Sequence, residues 1–300
     1  MPSVIAVVVN YNRRDDTLEC LDSLQRVPSP ALDVLVVDNG SSDGSVEAIR
    51  ARFPGVTVIE AGTNLGYPGG NNLGIERALE RGAEYLFILN NDIVVDPDIV
   101  QALVDVAEHD MAVGMVCPKV YYYDRRDVIW SAGSRIDMRT GTPLLRGCGE
   151  VDRGQYDAEC PVEVIDGCAI LVTRRLCEQV GLIDPTYFAY YEDTDWAIRA
   201  TRAGFRIIYT PRARAWHKVS ATNRSGTARS PFQVYYHIRN HLLFLSRYSR
   251  ITTGKHVEMW GTVAFNVLKV LVGYDRERSL ARLRGITDYY RGRFGHRVSL

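Results

Sequence analysis

The order of apolar segments predicts an α/β fold: a mostly parallel sheet with helices on both faces, followed by a C-terminal helical extension. Three observations carry that prediction. Short β-branched runs alternate with stretches of helical periodicity through residues 1–120, polar residues collect after each run, and the final third is helical in pattern and strongly basic.

Residues 4–9, 34–37, 56–59 and 85–89 read as strands, since they are short, apolar and bounded by turn residues. Residues 14–27, 45–53 and 71–81 read as the helices between them, and Leu18, Leu21 and Leu24 share one face of the first. Strands without polar alternation are buried on both sides, which implies parallel pairing through crossover helices. Further on, 113–116, 128–130 and 169–172 are strand-like, with a glycine-rich stretch of turns and hairpins between the last two. A helix is expected over 192–204, strands over 205–209 and 213–216, a mobile loop over 218–230 and two or three helices from Pro231.

The 300 residues are 46% hydrophobic and 24% charged, a balance that excludes disorder, collagen and a disulfide scaffold. No apolar run reaches the roughly 18 residues of a spanning helix; the best candidate, 257–274, is interrupted by Glu258 and Lys269. The run at 4–9 lacks a basic stretch before it and ends in Asn10 and Tyr11, so a strand is expected there rather than a leader. Six cysteines without a C-x-x-C pair point away from zinc and towards a reduced, cytoplasmic chain.

Zero net charge hides a polarity. Residues 1–195 hold 16 Lys+Arg against 32 Asp+Glu, and residues 196–300 hold 20 against 4. Either the C-terminal third meets an anionic partner, such as ligand phosphates or an anionic lipid surface, or the two halves neutralise each other across an interface. The basic part carries no zinc-knuckle or helix-turn-helix signature, so no nucleic-acid partner is expected.

Parallel sheets bind ligands beyond the carboxyl ends of their strands. Those ends carry Asn10, Tyr11 and Asn12, then Asp38, then Asn64 and Gly66 with Asn71 in the next helix, then Asn90, Asn91 and Asp92. Asp92 is a candidate ligand for a hard divalent cation, or else a turn residue. His217 follows a strand-like segment and would complete a mixed oxygen–nitrogen site suited to Mg²⁺ or Mn²⁺. Glu192, Asp193 and Asp195 crowd three carboxylates into four positions, which raises at least one proton affinity and suits a general base; helix capping is the alternative. Arg239 offers a planar fork for phosphate, or a solvated helix face. No G-x-G-x-x-G follows the first strand, and no G-x-x-x-x-G-K-[ST] or G-x-S-x-G is present, which points away from nicotinamide enzymes, P-loop NTPases and α/β-hydrolases.

Seven segments, VIAVVVNYN, VLVVDNGSSDGS, NLGYPGGNN, LFILNNDIVVDPD, GCAILVTRR, FAYYEDTDWAIRA and AWHKVS, together resemble the inverting glycosyltransferases of family 2 over residues 3–245. The nearest subgroup is the bacterial rhamnosyltransferase-like enzymes of polysaccharide and cell-wall assembly. The resemblance implies a GT-A-type, Rossmann-like catalytic domain over 1–230, with a nucleotide-binding part (1–120), an acceptor-binding part (121–230) and a basic helical extension (231–300). It implies that Asn10, Tyr11, Asn12, Asp38, Asn64, Gly66, Asn71, Asn90, Asn91 and Arg239 serve a dTDP- or UDP-sugar donor. Asp92 and His217 would hold the divalent cation, Asp193 would be the catalytic base, and Gly167, Glu192 and Trp196 would meet the acceptor. Asn90 stands where the stricter D-x-D pattern has its first acid. The acceptor implied is a glycan or a polyprenyl-diphosphate-linked saccharide, reached from the inner face of the membrane. The arginines from Arg276 to Arg297 would meet anionic lipid there, with 259–271 in the interface plane; packing on the catalytic domain or on a second subunit is the alternative. A sugar nucleotidyltransferase or a non-catalytic nucleotide-sugar-binding module are the competing functions. The former expects a Gly-rich basic loop where Asn10-Tyr11-Asn12-Arg13 stands.

Overall fold

The computed structural model describes residues 2–28, 32–218, 229–249 and 253–297, with side chains from 260 onward in the last stretch. Four parallel strands, β1 (Val4–Asn10), β2 (Leu32–Asp38), β3 (Thr57–Glu60) and β4 (Tyr85–Asn90), stand in the order β3-β2-β1-β4. The chain winds outward from β1 to β3 and then returns to the other side of β1. That reversal opens a crevice at the carboxyl ends of β1 and β4, where ligands of such sheets bind. Helices α1 (Arg14–Leu24), α2 (Ser45–Arg52) and α3 (Gly66–Glu80) make the crossovers. Strand β5 (Ile93–Val95) and helix α4 (Ile99–His109) precede the long β6 (Val113–Tyr122).

Alternation along β1 divides the core. Val4, Ala6 and Val8 pack with Leu21 of α1, Ile49 of α2 and Leu103 of α4. Ile5 and Val7 pack on the other face with Ile75 of α3, and also with Leu176 and Trp196 from later helices. Each such side chain contributes roughly 1.5–3 kcal/mol when fully buried. Helix α3 begins at Gly66, five residues before the expected 71, because glycines that resemble a loop in sequence let it lie directly on β1. A Cβ on Gly74 would stand 2.4 Å from Val7 Cγ1.

The second half completes the sheet. Short strands β7 (Ile129–Ser131), β8 (Ser134–Asp137), β9 (Thr142–Leu145) and β10 (Cys160–Pro161) fill the region expected to be turns and hairpins. Strand β11 (Ala169–Thr173) runs antiparallel between β4 and β6, so its start lies beside the end of β4. Helices α5 (Arg174–Val180) and α6 (Glu192–Arg202) follow, then β12 (Arg206–His217), which pairs with β6 in parallel and with β5 antiparallel. The strands expected at 205–209 and 213–216 are one strand with a register shift between Thr210 and Arg214. Pro211 lacks an N–H for the ladder, which accounts for a shift at that point.

Three helices close the described chain: α7 (Pro231–Tyr248), α8 (Thr253–Leu271) and α9 (Arg276–Tyr290). Helix α7 starts with a capping box, in which Ser230 Oγ accepts from the Gln233 N–H at 3.2 Å and Gln233 Oε1 accepts from the Ser230 N–H at 2.8 Å. Among the described residues no helix is long and apolar enough to cross a membrane. The mobile loop expected at 218–230 falls mostly on 219–228, which lie outside the described residues.

Candidate active site

Strand register brings the first polar cluster together. Asn10 lies opposite Asp38, and Val9 lies opposite Asn90. Asn10 is fully buried; its Nδ2 donates to Asp38 Oδ1 at 2.8 Å and to Ser41 Oγ at 3.0 Å, while its Oδ1 accepts from Thr17 Oγ1 at 2.8 Å and Asn91 Nδ2 at 3.2 Å. Asp38 Oδ2 in turn accepts from the N–H groups of Gly40 and Ser41. These side chains therefore fix the ends of β1, β2 and β4 against α1. Tyr11 is exposed at the rim, and Asn12, at φ 51°, accepts from the Ser42 N–H at 2.8 Å. Across the crevice Asn64 Oδ1 accepts from the Gly66 N–H at 2.9 Å. Asn71 is buried with Nδ2 on Tyr67 O at 2.9 Å and no partner for Oδ1 among the described residues.

Two residues past β4, Asp92 meets His217. Strand β12 pairs His217 with Ile93, so the imidazole Nε2 comes to 3.3 Å from Asp92 Oδ1. His217 is buried, packs edge-on against Trp130 with centroids 4.7 Å apart, and leaves Nδ1 without a hydrogen-bond partner among the described residues. Burial works to raise the Asp92 proton affinity, but hydrogen bonding and charge from His217 outweigh it and hold the carboxyl below its ordinary range. Among the described residues no three His, Cys, Asp or Glu gather as a closed metal cage. One carboxylate and one imidazole fit a Mg²⁺ or Mn²⁺ ion that takes its other ligands from phosphate and water.

The start of β11 links this pair to Asp193. The Gly167 N–H donates to Asp193 Oδ2 at 2.9 Å, and the next residue's carbonyl, Cys168 O, accepts from the Asn90 N–H at 2.8 Å. Two residues of backbone thus connect the base candidate to the strand end that bears Asp92. Asp193 Oδ1 accepts from the Thr194 N–H at 2.6 Å and Thr194 Oγ1 at 3.2 Å. Burial raises its proton affinity more than these hydrogen bonds lower it, so the carboxyl titrates above the ordinary carboxylate range. Burial and the neighbouring Asp193 charge push the proton affinity of buried Glu192 well above the ordinary carboxylate range. Both line a cavity of about 580 Å³ walled by Trp130, Tyr190, Tyr191 and His237, within the range of about 300–1,000 Å³ typical of small-molecule sites. Gly167 itself does not line the cavity; it follows Asp166, which does, and its carbonyl accepts from the Tyr67 hydroxyl.

The segment before Asp193 is strained. Phe188, Tyr190 and Tyr191 all have positive φ, at a cost of about 1–2 kcal/mol each for residues with a Cβ. Phe188 O also accepts from the Tyr67 N–H at 2.9 Å, and a Cβ on Gly66 (φ +73°) would stand 2.4 Å from that carbonyl oxygen, so only glycine fits there.

This segment explains the fate of Arg239. It is fully buried, and its guanidinium donates to Tyr187 O at 2.8 Å, Gly295 O at 2.8 Å, Thr186 O at 3.3 Å and Asn240 Oδ1 at 2.9 Å. Asn240 Nδ2 adds bonds to the carbonyls of Tyr187, Ala189 and Tyr190. Contrary to both sequence readings, Arg239 faces neither phosphate nor solvent; it clamps the strained turn. Trp196 is likewise outside the cavity, fully buried with Nε1 on Gly181 O at 2.9 Å. The capping role open to Asp195 also falls, since Tyr191 holds the cap position and Asp195 is buried against Arg199, Arg247, Tyr187 and Tyr248. Helical periodicity places 192, 193 and 196 on adjacent faces of α6, and sequence alone does not show which face meets the core.

Sequence reasoning missed Asp166. Its Oδ2 accepts from the Ser131 hydroxyl and from Ser134 Oγ at 2.9 Å, while Oδ1 has no hydrogen bond among the described residues, and the residue lines the same cavity. Burial pushes its carboxyl up to about 6. The signal available was an acid directly before Gly167 at the start of a strand, and the serines that hold it lie more than thirty positions upstream.

The Glycosyl transferase family 2 model matches residues 5–180, more than half of the chain. The chain belongs to glycosyl transferase family 2. It is a glycosyltransferase with rhamnosyltransferase relatives. It is 29% identical over 251 residues to the N-acetylglucosaminyl-diphospho-decaprenol L-rhamnosyltransferase of Mycobacterium tuberculosis, covering 75% of this chain and 79% of that one. It is 25% identical over 255 residues to the dTDP-rhamnosyl transferase RfbF of Shigella flexneri, covering 82% and 80%. Two solved structures share the GT-A-like fold. GalNAc-T7, solved with UDP, GalNAc and Mn²⁺, has a TM-score of 0.65 at 14% identity over 82% of this chain, which spans about half (48%) of that structure. The mannosyltransferase PcManGT of Pyrobaculum calidifontis, solved with GDP-Man and Mn²⁺, has a TM-score of 0.56 at 17% identity over 96% of this chain and 87% of that one.

Proposed function

We propose that this family 2 enzyme transfers a sugar from a nucleoside-diphosphate donor to a hydroxyl of a lipid-linked saccharide, with inversion in a single displacement. The observation that carries this reading is Asp193 in the wall of a cavity, joined through Gly167 and Cys168 to the strand end that bears Asp92. The names of the mycobacterial and Shigella relatives favour L-rhamnose carried on dTDP.

In this reading residues 1–120 serve the nucleotide. Tyr11 and Asn12 lie beside the base, Asp38 and Asn10 shape the floor, and Asn64, Gly66 and Asn71 close the far side. Asn90 and Asn91 hold the strand end that leads to Asp92. Asp92 and His217 hold a divalent cation, which when bound supplies Lewis-acid stabilisation of charge on the departing diphosphate. Residues 121–230 serve the acceptor. Asp193 takes the proton from the attacking hydroxyl, its lone pairs oriented by Gly167 and Thr194. Glu192 lines the same cavity and is placed to hydrogen-bond the acceptor. The aromatic walls exclude water that would otherwise compete for the donor. Only one carboxylate acts on the acceptor, as single displacement requires.

The C-terminal helices fit a peripheral position on an anionic bilayer. Trp260, Phe265, Leu268 and Leu271 are exposed on α8, and α9 supplies arginines beside them. The test of function is direct. The protein is incubated with Mn²⁺, a panel of dTDP- and UDP-sugars and a saccharide-diphosphoryl-lipid acceptor, and the product is analysed by mass and anomeric configuration. Transfer from dTDP-rhamnose with inversion is expected. Exclusive use of another donor removes the rhamnose assignment, and no transfer from any donor removes the reading.

A further inference from the structure

The cavity beside Asp193 is lined by two arginines as well as by acids. Asp166 precedes β11 and Glu192 and Asp193 open α6, while Arg229 precedes α7 and Arg282 lies on α9. Among the described residues Arg282 makes one hydrogen bond, from Nη1 to Asn266 Oδ1 at 2.9 Å, and neither arginine pairs with a carboxylate. Asn266 is itself buried and anchored, its Nδ2 donating to Thr262 O at 2.7 Å. Helix α8 thus holds the Arg282 guanidinium at the cavity, with Nε and Nη2 uncommitted among the described residues. A planar fork in this state matches phosphate oxygens, which it binds two at a time.

The helix that carries Asn266 has a second property. Its neighbours Phe265 and Leu268 are 58% and 56% exposed, and Leu271 is 77% exposed. The residue that anchors the α9 cation and these exposed apolar residues share α8. The charge polarity of the sequence agrees, since residues 196–300 hold 20 basic residues against 4 acidic ones.

We propose that Arg282, assisted by Arg229, is the subsite for a phosphate or diphosphate linker of the acceptor, with the sugar it carries reaching Asp193 and the hydrocarbon it is joined to lying on the exposed face of α8. This rests on the transferase reading above and adds the chemistry that selects the acceptor: an anionic group between sugar and lipid. With acids and arginines lining the same cavity, one orientation of such a molecule is favoured, because reversing it would bring phosphate against Asp193 and Asp166.

Three acceptors with the same saccharide test this: one joined to an alkyl chain through diphosphate, one joined to methyl through diphosphate, and a neutral octyl glycoside. For the wild-type protein kcat/KM on the diphosphoryl-alkyl acceptor should exceed that on the octyl glycoside by about tenfold or more, as a charge-assisted fork contact implies. Arg282→Gln should collapse that ratio, and Arg282→Lys, which keeps the charge without the fork, should restore part of it. Affinity for dTDP, measured on the same preparations, reports whether the variants are folded. An unchanged ratio in Arg282→Gln overturns the phosphate subsite while leaving transferase activity standing. Equal use of the methyl and alkyl diphosphates overturns the path along α8. No transfer by wild type to any of the three removes the transferase reading and the subsite together.

Discussion

At the residue scale, environment separates carboxylates that look alike in sequence. Asp92 lies beside an imidazole and is held low, whereas Asp193 and Asp166 are lifted by burial. Asp92→Ala should abolish the Mn²⁺ dependence of nucleotide binding. Titration calorimetry with dTDP checks this: the variant's affinity should be the same with Mn²⁺ and with EDTA, and a retained difference would remove Asp92 from the cation site. Asp166 carries a pH signature. Its folded-state titration at about 6 lies above the ordinary carboxylic value of 3.8, so the folded protein binds its proton more tightly than the unfolded chain does. Its contribution is therefore most favourable below the unfolded value and is lost as pH rises towards the folded one. Asp166→Asn should melt higher than wild type at pH 7.5, with the gap closing near pH 4. An equal gap at both pH values would contradict the burial of this carboxyl.

At the scale of elements, the turn before α6 is the point of greatest stress, and α7 holds it. Arg239 and Asn240 satisfy the carbonyls of Thr186, Tyr187, Ala189 and Tyr190 while three aromatic residues stay at positive φ. Arg239→Leu removes the guanidinium from Gly295 O and Asn240 Oδ1, while Tyr187 O keeps Asn240 Nδ2 and the Ala189 N–H, and Thr186 O keeps the Gly295 N–H. Hydrogen bonds from a charged group contribute about 1.5–3 kcal/mol, so a loss of about 2 kcal/mol is expected in urea denaturation. A change below about 1 kcal/mol would mean the clamp is redundant. The strands and crossovers were legible because short buried runs and helical periodicity are local signals. The polar strand ends followed from the rule for parallel sheets. Arg239 was misread because a buried arginine on carbonyl oxygens and an arginine awaiting phosphate have the same sequence surroundings. Trp196 was misread because one helical turn decides between core and cavity. The Asp166–Ser131–Ser134 cluster was invisible because its members meet only when β7 and β8 fold back on the start of β11.

At the scale of the whole molecule, the acidic residues 1–195 and the basic residues 196–300 both contribute to the cavity that holds Asp193. The helical extension also carries an exposed apolar face. Association with vesicles should therefore require anionic lipid and weaken as salt rises, since each surface cation contributes roughly 1 kcal/mol at low ionic strength. Co-sedimentation with neutral and anionic vesicles at two salt concentrations measures this, and equal recovery on both vesicle types would remove the bilayer reading. The central claim is that Asp193 and Asp92 work at opposite ends of a single site, one on the acceptor and one on the donor. Asp193→Asn tests it most directly, with transfer rate and Mn²⁺-dependent donor affinity measured on the same preparation. The account predicts that transfer falls by about a thousandfold or more, within the range of general-base contributions, while donor affinity stays at the wild-type value. Near-normal turnover in this variant would contradict it.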